Sequence, residues 1–189
     1  MTTAAAVADS ARRGTALIIY ATTEGHTAKI GHYLAEVIAK RGLKVDLYNS
    51  ADLPKRFTVT GYDRIFVAGS VHAGQYQDAL ARFAKKHIAA LNKTHTMFVS
   101  VSLSAAGGKD EKEEARVCAW KFVTAVGWEP TVVLSVAGAL RFTQYDFLRS
   151  WMAKRVAAGR RLKASGTDDV EFTDWEALER AAGRFVRGI

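Results

Sequence analysis

The chain has 189 residues, of which 49% are hydrophobic and 24% are charged. This length and composition suit one domain with a sizeable core and argue against a chain that is disordered throughout. The single cysteine, Cys118, excludes an intramolecular disulfide and any metal site built from several cysteines, while the net charge of +8 favours anionic partners.

The first residues of the chain do not resemble a secretory signal. Residues 1–14 lack the apolar stretch of a secretory signal and are predicted to form a flexible N-terminal tail, followed by one domain over residues 15–189. No apolar run approaches the roughly 18–20 residues that a membrane-spanning helix needs. The positive charge leaves nucleic acid, an anionic membrane surface and acidic small molecules open as partners.

Short apolar runs alternate with helical patterns along the chain. Strands are predicted at 15–20, 43–49, 64–70, 96–103 and 131–138. Apolar residues at helical spacing predict helices in four segments: from Ile30, from Leu80 to Leu91, from Ala115 to a stop at Gly127, and after a capping box formed by Thr173 and Glu176. The alternation predicts an α/β fold, a doubly wound five-stranded parallel sheet with an insertion at 139–172 before the final helix.

Three loops rich in glycine, serine and threonine follow the predicted strands. The first, "ATTEGHT" at 21–27, offers hydroxyls and free amides at the start of a helix, an arrangement that binds phosphate. From this stretch alone, a simple helix cap is an equally good interpretation. The second loop, 69–77, offers His72 and Tyr76 as rings for stacking, and the third lies at 102–114. Ligands of doubly wound sheets bind at such strand ends.

The loops and several longer segments resemble the flavodoxins. The segments "YDRIFVAGSVHAGQY", "VAGALRFTQYD" and "TDWE" are closer still to the flavodoxin-like, quinone-dependent protoporphyrinogen oxidases of bacteria. This resemblance covers nearly all of residues 15–187 and implies FMN as the cofactor. By position it places the cofactor-binding residues in the three loops: Thr22, Thr23, Glu24, Gly25, His26 and Thr27 around the phosphate, and Ser70, Val71, His72, Ala73, Gly74, Tyr76, Ser102, Leu103, Ser104 and Gly107 around the flavin ring.

Two positions depart from the patterns of these families. Ordinary flavodoxins place a hydroxyl residue where Glu24 stands, and an acid there repels phosphate unless its side chain turns away. An acid at this place is acceptable in the oxidase family, so Glu24 favours that branch. The second loop commonly carries Arg-Tyr in the oxidases where this chain has His72 and Ala73. This difference bears on the ring contact and on the choice of substrate.

The resemblance implies an enzyme of haem biosynthesis that oxidises protoporphyrinogen IX to protoporphyrin IX and passes the electrons to a membrane quinone. The alternative is a flavodoxin-type FMN electron carrier without porphyrinogen turnover. Soluble carriers of that type are acidic, whereas the charge of +8 suits the propionates of a porphyrinogen and an anionic membrane surface. The implied location is cytoplasmic, peripheral on the inner membrane, and nucleic acid is not an expected partner.

Three further expectations complete the prediction. Arg141, directly after the last strand, is predicted to bind a substrate propionate through two parallel hydrogen bonds. Within the insertion, residues 141–163 have an imperfectly amphipathic pattern, which fits membrane contact and packing against the domain equally well. The five histidines show no ligand spacing, so no metal site is expected. The sequence assigns no catalytic side chain and leaves a homo-oligomer open.

Overall fold

A computed structural model of the protein describes residues 14–140 and 170–188. The strands are β1 (Thr15–Ala21), β2 (Lys44–Asn49), β3 (Arg64–Ser70), β4 (His95–Ser102), β5 (Val132–Ala137), β6 (Ala139–Leu140) and β7 (Val170–Glu171). The helices are α1 (His26–Ala39), α2 (Asp78–Lys86), α3 (Ile88–Leu91), α4 (Lys109–Val126) and α5 (Trp175–Arg187), with a 3₁₀ turn at Ser104–Ala106.

Strands β1 to β5 form one parallel sheet in the order β2-β1-β3-β4-β5. The register between β1 and β3 runs from Ala16 opposite Arg64 to Ala21 opposite Gly69. From β1 the chain winds outward to β2 and then returns to the other side of β1, so the topological switch point lies between β1 and β3. The predicted fold class and the five predicted strands of this sheet are confirmed.

The sheet separates two hydrophobic layers because successive residues of a strand point to opposite faces. In β1, Ile18 packs with the apolar faces of α1 and α5, whereas Leu17 and Ile19 pack with α2 and α4. All three side chains are completely buried. Burying such a side chain stabilises the fold by about 1.5–3 kcal/mol. Apolar residues on both faces explain why these strands read as continuous apolar runs in the sequence.

The predicted helix from Leu80 to Leu91 is interrupted. His87 has the non-helical dihedral angles φ −110° and ψ 15°, and it separates α2 from α3. Its ring packs edge-on against Phe57 and beside Phe83, with centroid distances of 5.7 and 5.0 Å. Burial lowers the pKa of His87 and so favours the neutral form of the ring. The sequence does not indicate this break, because the apolar residues of both helices pack in the same core and keep a helical spacing across His87.

The predicted capping box at Thr173 is wrong by one residue. Asp174 is the N-cap of α5, and its Oδ1 accepts from the Ala177 amide at 2.8 Å. The Thr173 hydroxyl does not cap the helix; it donates to the Ala137 carbonyl at 2.7 Å. This bond ties the segment before α5 to the end of β5.

The two ends of the predicted insertion form a small antiparallel ladder. Ala139 pairs with Glu171, and Leu140 pairs with Val170. Most of the insertion and the predicted tail up to residue 13 lie outside the described residues. Among the helices of the described ranges, none has the length and apolar composition needed to cross a bilayer.

Candidate functional site

The first loop joins β1 to α1 at the switch point. Gly25 is the N-cap of α1 and has φ 90°, a conformation that L side chains rarely adopt. Its amide donates to Thr22 Oγ1 at 2.8 Å, which closes the turn. Because the N-cap is a glycine, it has no side chain to cap the first turn of α1, and the N-terminal amides and the positive end of the helix dipole lie at the edge of the sheet.

Thr27 provides the most informative side chain of this loop. Thr27 is only 1% exposed, and its hydroxyl has no hydrogen-bond partner among the described residues. It lines the cleft at the carboxyl end of the sheet. A buried hydroxyl without a partner costs about 1–3 kcal/mol, and a ligand oxygen at this place would remove that cost. The helix N-terminus makes the site suitable for an anion.

The second loop leaves β3 as a tight hairpin. The amide and carbonyl groups of His72 and Gln75 bond each other at 2.8 and 2.9 Å. The two residues between them have positive φ, 48° at Ala73 and 79° at Gly74, which defines a type I′ turn. Asparagine-glycine is the preferred pair for this turn, so Ala73 occupies a conformation that is unfavourable for it. We refer to residues 72–75 as the hairpin.

The third loop follows β4 and contains the 3₁₀ turn. Ser102 Oγ accepts from the Ala105 amide at 3.2 Å, and the Ser102 carbonyl accepts from the Gly138 amide at 3.1 Å. The carboxylate of Glu111 accepts from the Gly108 amide at 2.6 Å and fixes the start of α4. The third loop is therefore held by both its own turn and the end of β5.

The three loops enclose a cleft of about 360 Å³, within the range of small-molecule sites. Twelve predicted site residues line it: Thr22, Glu24, His26, Thr27, Ser70, Val71, His72, Ala73, Gly74, Ser102, Leu103 and Ser104. Three further lining residues were not predicted: Val101, Gly138 and Ala139. Val101 looks like an ordinary strand residue in the sequence. Gly138 could have been found, because it is a small residue directly after β5, as in the three loops that follow the other strands.

Four predicted residues do not line the cleft: Thr23, Gly25, Tyr76 and Gly107. Gly25 contributes through its backbone, and Thr23 accepts a hydrogen bond from Gln77. Tyr76, predicted to stack on the flavin ring, instead donates to or accepts from Ser100 Oγ at 2.6 Å and packs against Phe122. Its pKa is raised by burial, so the phenol stays protonated. The sequence correctly places Tyr76 in the loop but does not reveal the inward direction of its ring.

Polar side chains in and beside the first loop are paired with one another. Glu24 Oε1 lies 3.0 Å from His72 Nε2, so the acid turns toward the hairpin. Glu171 accepts from Lys29 Nζ at 2.6 Å, and His26 Nε2 lies 2.7 Å from the Thr173 hydroxyl. The first loop can therefore bind an anion through backbone amides and hydroxyls, while the carboxylate of Glu24 points toward His72.

Arg141 lies outside the described residues. The nearest described position, Ala139, lines the cleft, and Gly138 next to it packs beside Val101. The chain thus leaves the sheet along the cleft before it reaches Arg141.

The strand order and the three loops define a protein of the flavodoxin class. A family model described as a flavodoxin domain matches residues 17–165. Among solved structures, oxidised Flavodoxin 1 from Bacillus cereus superposes with a TM-score of 0.57 at 14% sequence identity, covering 93% of this chain and 99% of that chain. At this identity the likeness concerns the fold.

Curated relatives give the narrower family. Protoporphyrinogen IX dehydrogenase (quinone) of Escherichia coli K12 is 30% identical over 166 residues, which cover 88% of this chain and 91% of that protein. The protein of the same name from Leishmania major is 26% identical over 171 residues, 90% of this chain and 74% of its own length. The chain belongs to the protoporphyrinogen IX dehydrogenase family of flavodoxin-fold proteins. The resemblance noted from the sequence is thereby confirmed.

Proposed function

We propose that this protein binds FMN in the cleft and is an FMN-dependent protoporphyrinogen IX dehydrogenase. The observation that carries the proposal is the unpartnered, buried Thr27 hydroxyl beside the N-terminus of α1, in a cleft walled by three strand-end loops. The residues present fit FMN, because a phosphate ester needs hydroxyls and amides and a flat ring needs two flanking loops. The family match supports the same cofactor and the same enzyme class.

Each part of the cleft has a role in this proposal. The first loop holds the phosphate through Thr27 and the amides of α1. The hairpin and the third loop flank the ring and exclude water from its faces. FMN supplies the two-electron chemistry, and the protein positions it and tunes its potential. No described side chain is assigned as a general base.

The substrate assignment rests on relatives and charge. Both curated relatives carry the name protoporphyrinogen IX dehydrogenase (quinone). A net charge of +8 favours a substrate with carboxylate groups and an anionic membrane surface, where a quinone is available as electron acceptor. We therefore place the enzyme in haem biosynthesis, in the cytoplasm and peripheral on the inner membrane. Arg141 as a propionate ligand and the insertion as a membrane contact belong to this proposal.

A flavodoxin-type electron carrier is the second candidate, favoured by the fold match alone. A carrier and a dehydrogenase both bind FMN, so flavin content does not separate them. Oxidation of the porphyrinogen does, because only the dehydrogenase converts it.

FMN binding is tested first. The purified protein is denatured and the released flavin is identified, and apoprotein is titrated with FMN while flavin fluorescence is followed. We expect FMN to bind in a one-to-one complex. An apoprotein that binds neither FMN nor riboflavin would exclude both candidates.

A further inference from the structure

Two side-chain bridges join the first loop to the second loop. In one, Glu24 Oε1 lies 3.0 Å from His72 Nε2. In the other, Gln77 Nε2 donates to Thr23 Oγ1 at 3.0 Å and to Ser70 Oγ at 2.7 Å. Residues on the phosphate side of the site are therefore bonded to residues on the ring side.

Glu24 is difficult to explain as a phosphate ligand. A carboxylate beside a bound phosphate opposes binding through like-charge repulsion. In the structure, the Glu24 side chain points toward the base of the hairpin, where its carboxylate contacts the imidazole of His72. The hairpin needs such support, since its four residues are all exposed and Ala73 has an unfavourable positive φ.

We infer that Glu24 is a positioning residue for the ring side of the site. Through His72 it holds the hairpin against the first loop, and the Gln77 bridge supports the same arrangement at the other end of the second loop. The inference rests on the proposed function, since the hairpin is taken to flank the flavin ring. A loop that is already ordered loses less conformational entropy when a ligand binds, and so the ligand binds more tightly.

Two probes separate the sides of the site. Riboflavin carries the ring without the phosphate, and inorganic phosphate occupies the first loop alone. Replacing Glu24→Ala should weaken riboflavin binding by about two- to fivefold, the range expected for one exposed polar contact. The same change should leave phosphate affinity unchanged or increase it, because a negative charge is removed. Unchanged riboflavin affinity, or weaker phosphate binding, would overturn the inference.

A double-mutant cycle tests whether Glu24 acts through His72. Riboflavin affinity is measured for Glu24→Ala, His72→Ala and the double variant. If the bridge is the active feature, adding Glu24→Ala to His72→Ala causes no further loss. Glu24→Gln keeps an acceptor for His72 and should recover part of the affinity. Additive losses would mean that Glu24 acts independently of His72, against the inference.

Glu113→Ala is the matched control, because Glu113 forms an exposed ion pair with Arg116 on α4 and does not line the cleft. It should change neither riboflavin nor phosphate affinity. The cycle also separates this inference from the proposed function. If the wild-type protein binds FMN but the losses of riboflavin affinity in the two single variants add up in the double variant, only the inference about Glu24 is rejected. If the wild-type protein binds no flavin, the proposed function itself fails.

Discussion

The first loop and the hairpin face each other across the cleft, but different parts of the protein hold them. The first loop continues into α1, whose Thr27 is buried, and it is bonded to the segment before α5 through His26 and Thr173. The hairpin is exposed and makes side-chain contacts such as Glu24 with His72 and a long bond from Cys118 Sγ to the Gly74 carbonyl at 3.5 Å.

This difference separates two kinds of contribution to ligand binding. The first loop is held by hydrogen bonds of its own and by the bond from His26 to Thr173, and the buried hydroxyl of Thr27 has no partner among the described residues. The hairpin is supported by exposed contacts that are individually worth little. Removing the Thr27 hydroxyl should therefore act on ligand affinity without destabilising the fold, whereas changes to the hairpin should act on the order of the hairpin itself.

The largest expected effect is at Thr27. Thr27→Val removes a hydroxyl that has no protein partner, so the free energy of unfolding of the apoprotein should stay the same or rise. FMN affinity should fall by about ten- to a hundredfold, because a hydrogen bond to a charged group contributes roughly 1.5–3 kcal/mol. Flavin titration and denaturant unfolding measure the two effects.

Thr96→Val is the matched control for Thr27. Thr96 is also buried, but its hydroxyl accepts from Trp128 Nε1 at 3.1 Å, away from the cleft. This variant should lose about 1–3 kcal/mol of stability and keep its FMN affinity. If Thr27→Val instead behaves like Thr96→Val, the Thr27 hydroxyl is not a cofactor ligand.

The next effect concerns the hairpin. Ala73→Asn should raise the free energy of unfolding by up to about 1 kcal/mol, because asparagine tolerates the positive φ of a type I′ turn better than alanine. Ala73→Val should lower it by about 1–2 kcal/mol, since a β-branched residue fits that conformation poorly. Denaturant unfolding of both variants gives the comparison. Equal stability of the two would show that the turn does not impose this conformation.

The smallest effect concerns Glu171, which joins α1 to the C-terminal segment. Burial raises the pKa of Glu171, but the hydrogen bonds from Lys29 and Trp175 outweigh it, so the net shift is below the ordinary value of 4.5. The group therefore stabilises the fold above that value and loses its contribution as the pH falls through its lowered folded-state pKa. The contribution is less than about 1 kcal/mol, because the ion pair is partly exposed.

The pH dependence of unfolding measures the Glu171 contribution. The stability difference between wild type and Glu171→Gln should be constant at about pH 6 and should shrink below pH 4.5. A difference that stays constant down to the acid limit would show that the carboxylate charge is not what joins the two segments.

The sequence predicted the strands of the parallel sheet well. Continuous apolar runs are typical of strands buried on both faces, and β3 was predicted with the same bounds, 64–70, that the structure shows. Glycine, serine and threonine at three strand ends indicated the cleft, because the carboxyl ends of parallel strands meet at one edge. These features depend on local composition, which a single sequence records.

The features that were missed depend on the direction of side chains in three dimensions. Tyr76 lies in the predicted loop but turns toward Phe122 in the core. Thr173 was predicted to cap α5, yet its hydroxyl bonds a carbonyl 36 residues away in the sequence. The break at His87 and the pairing of Glu24 with His72 are also long-range or packing effects. Neither periodicity nor spacing contains that information.

The most direct test of the proposed function is porphyrin formation by the FMN-loaded protein. Protoporphyrinogen IX and a soluble quinone are mixed anaerobically with the protein, and protoporphyrin fluorescence is followed. We expect fluorescence to rise at a rate that depends on the quinone and on bound FMN, and to rise far more slowly with apoprotein. A protein that binds FMN and accepts electrons from a chemical reductant, yet leaves the porphyrinogen unchanged, would contradict the assignment and identify an electron carrier.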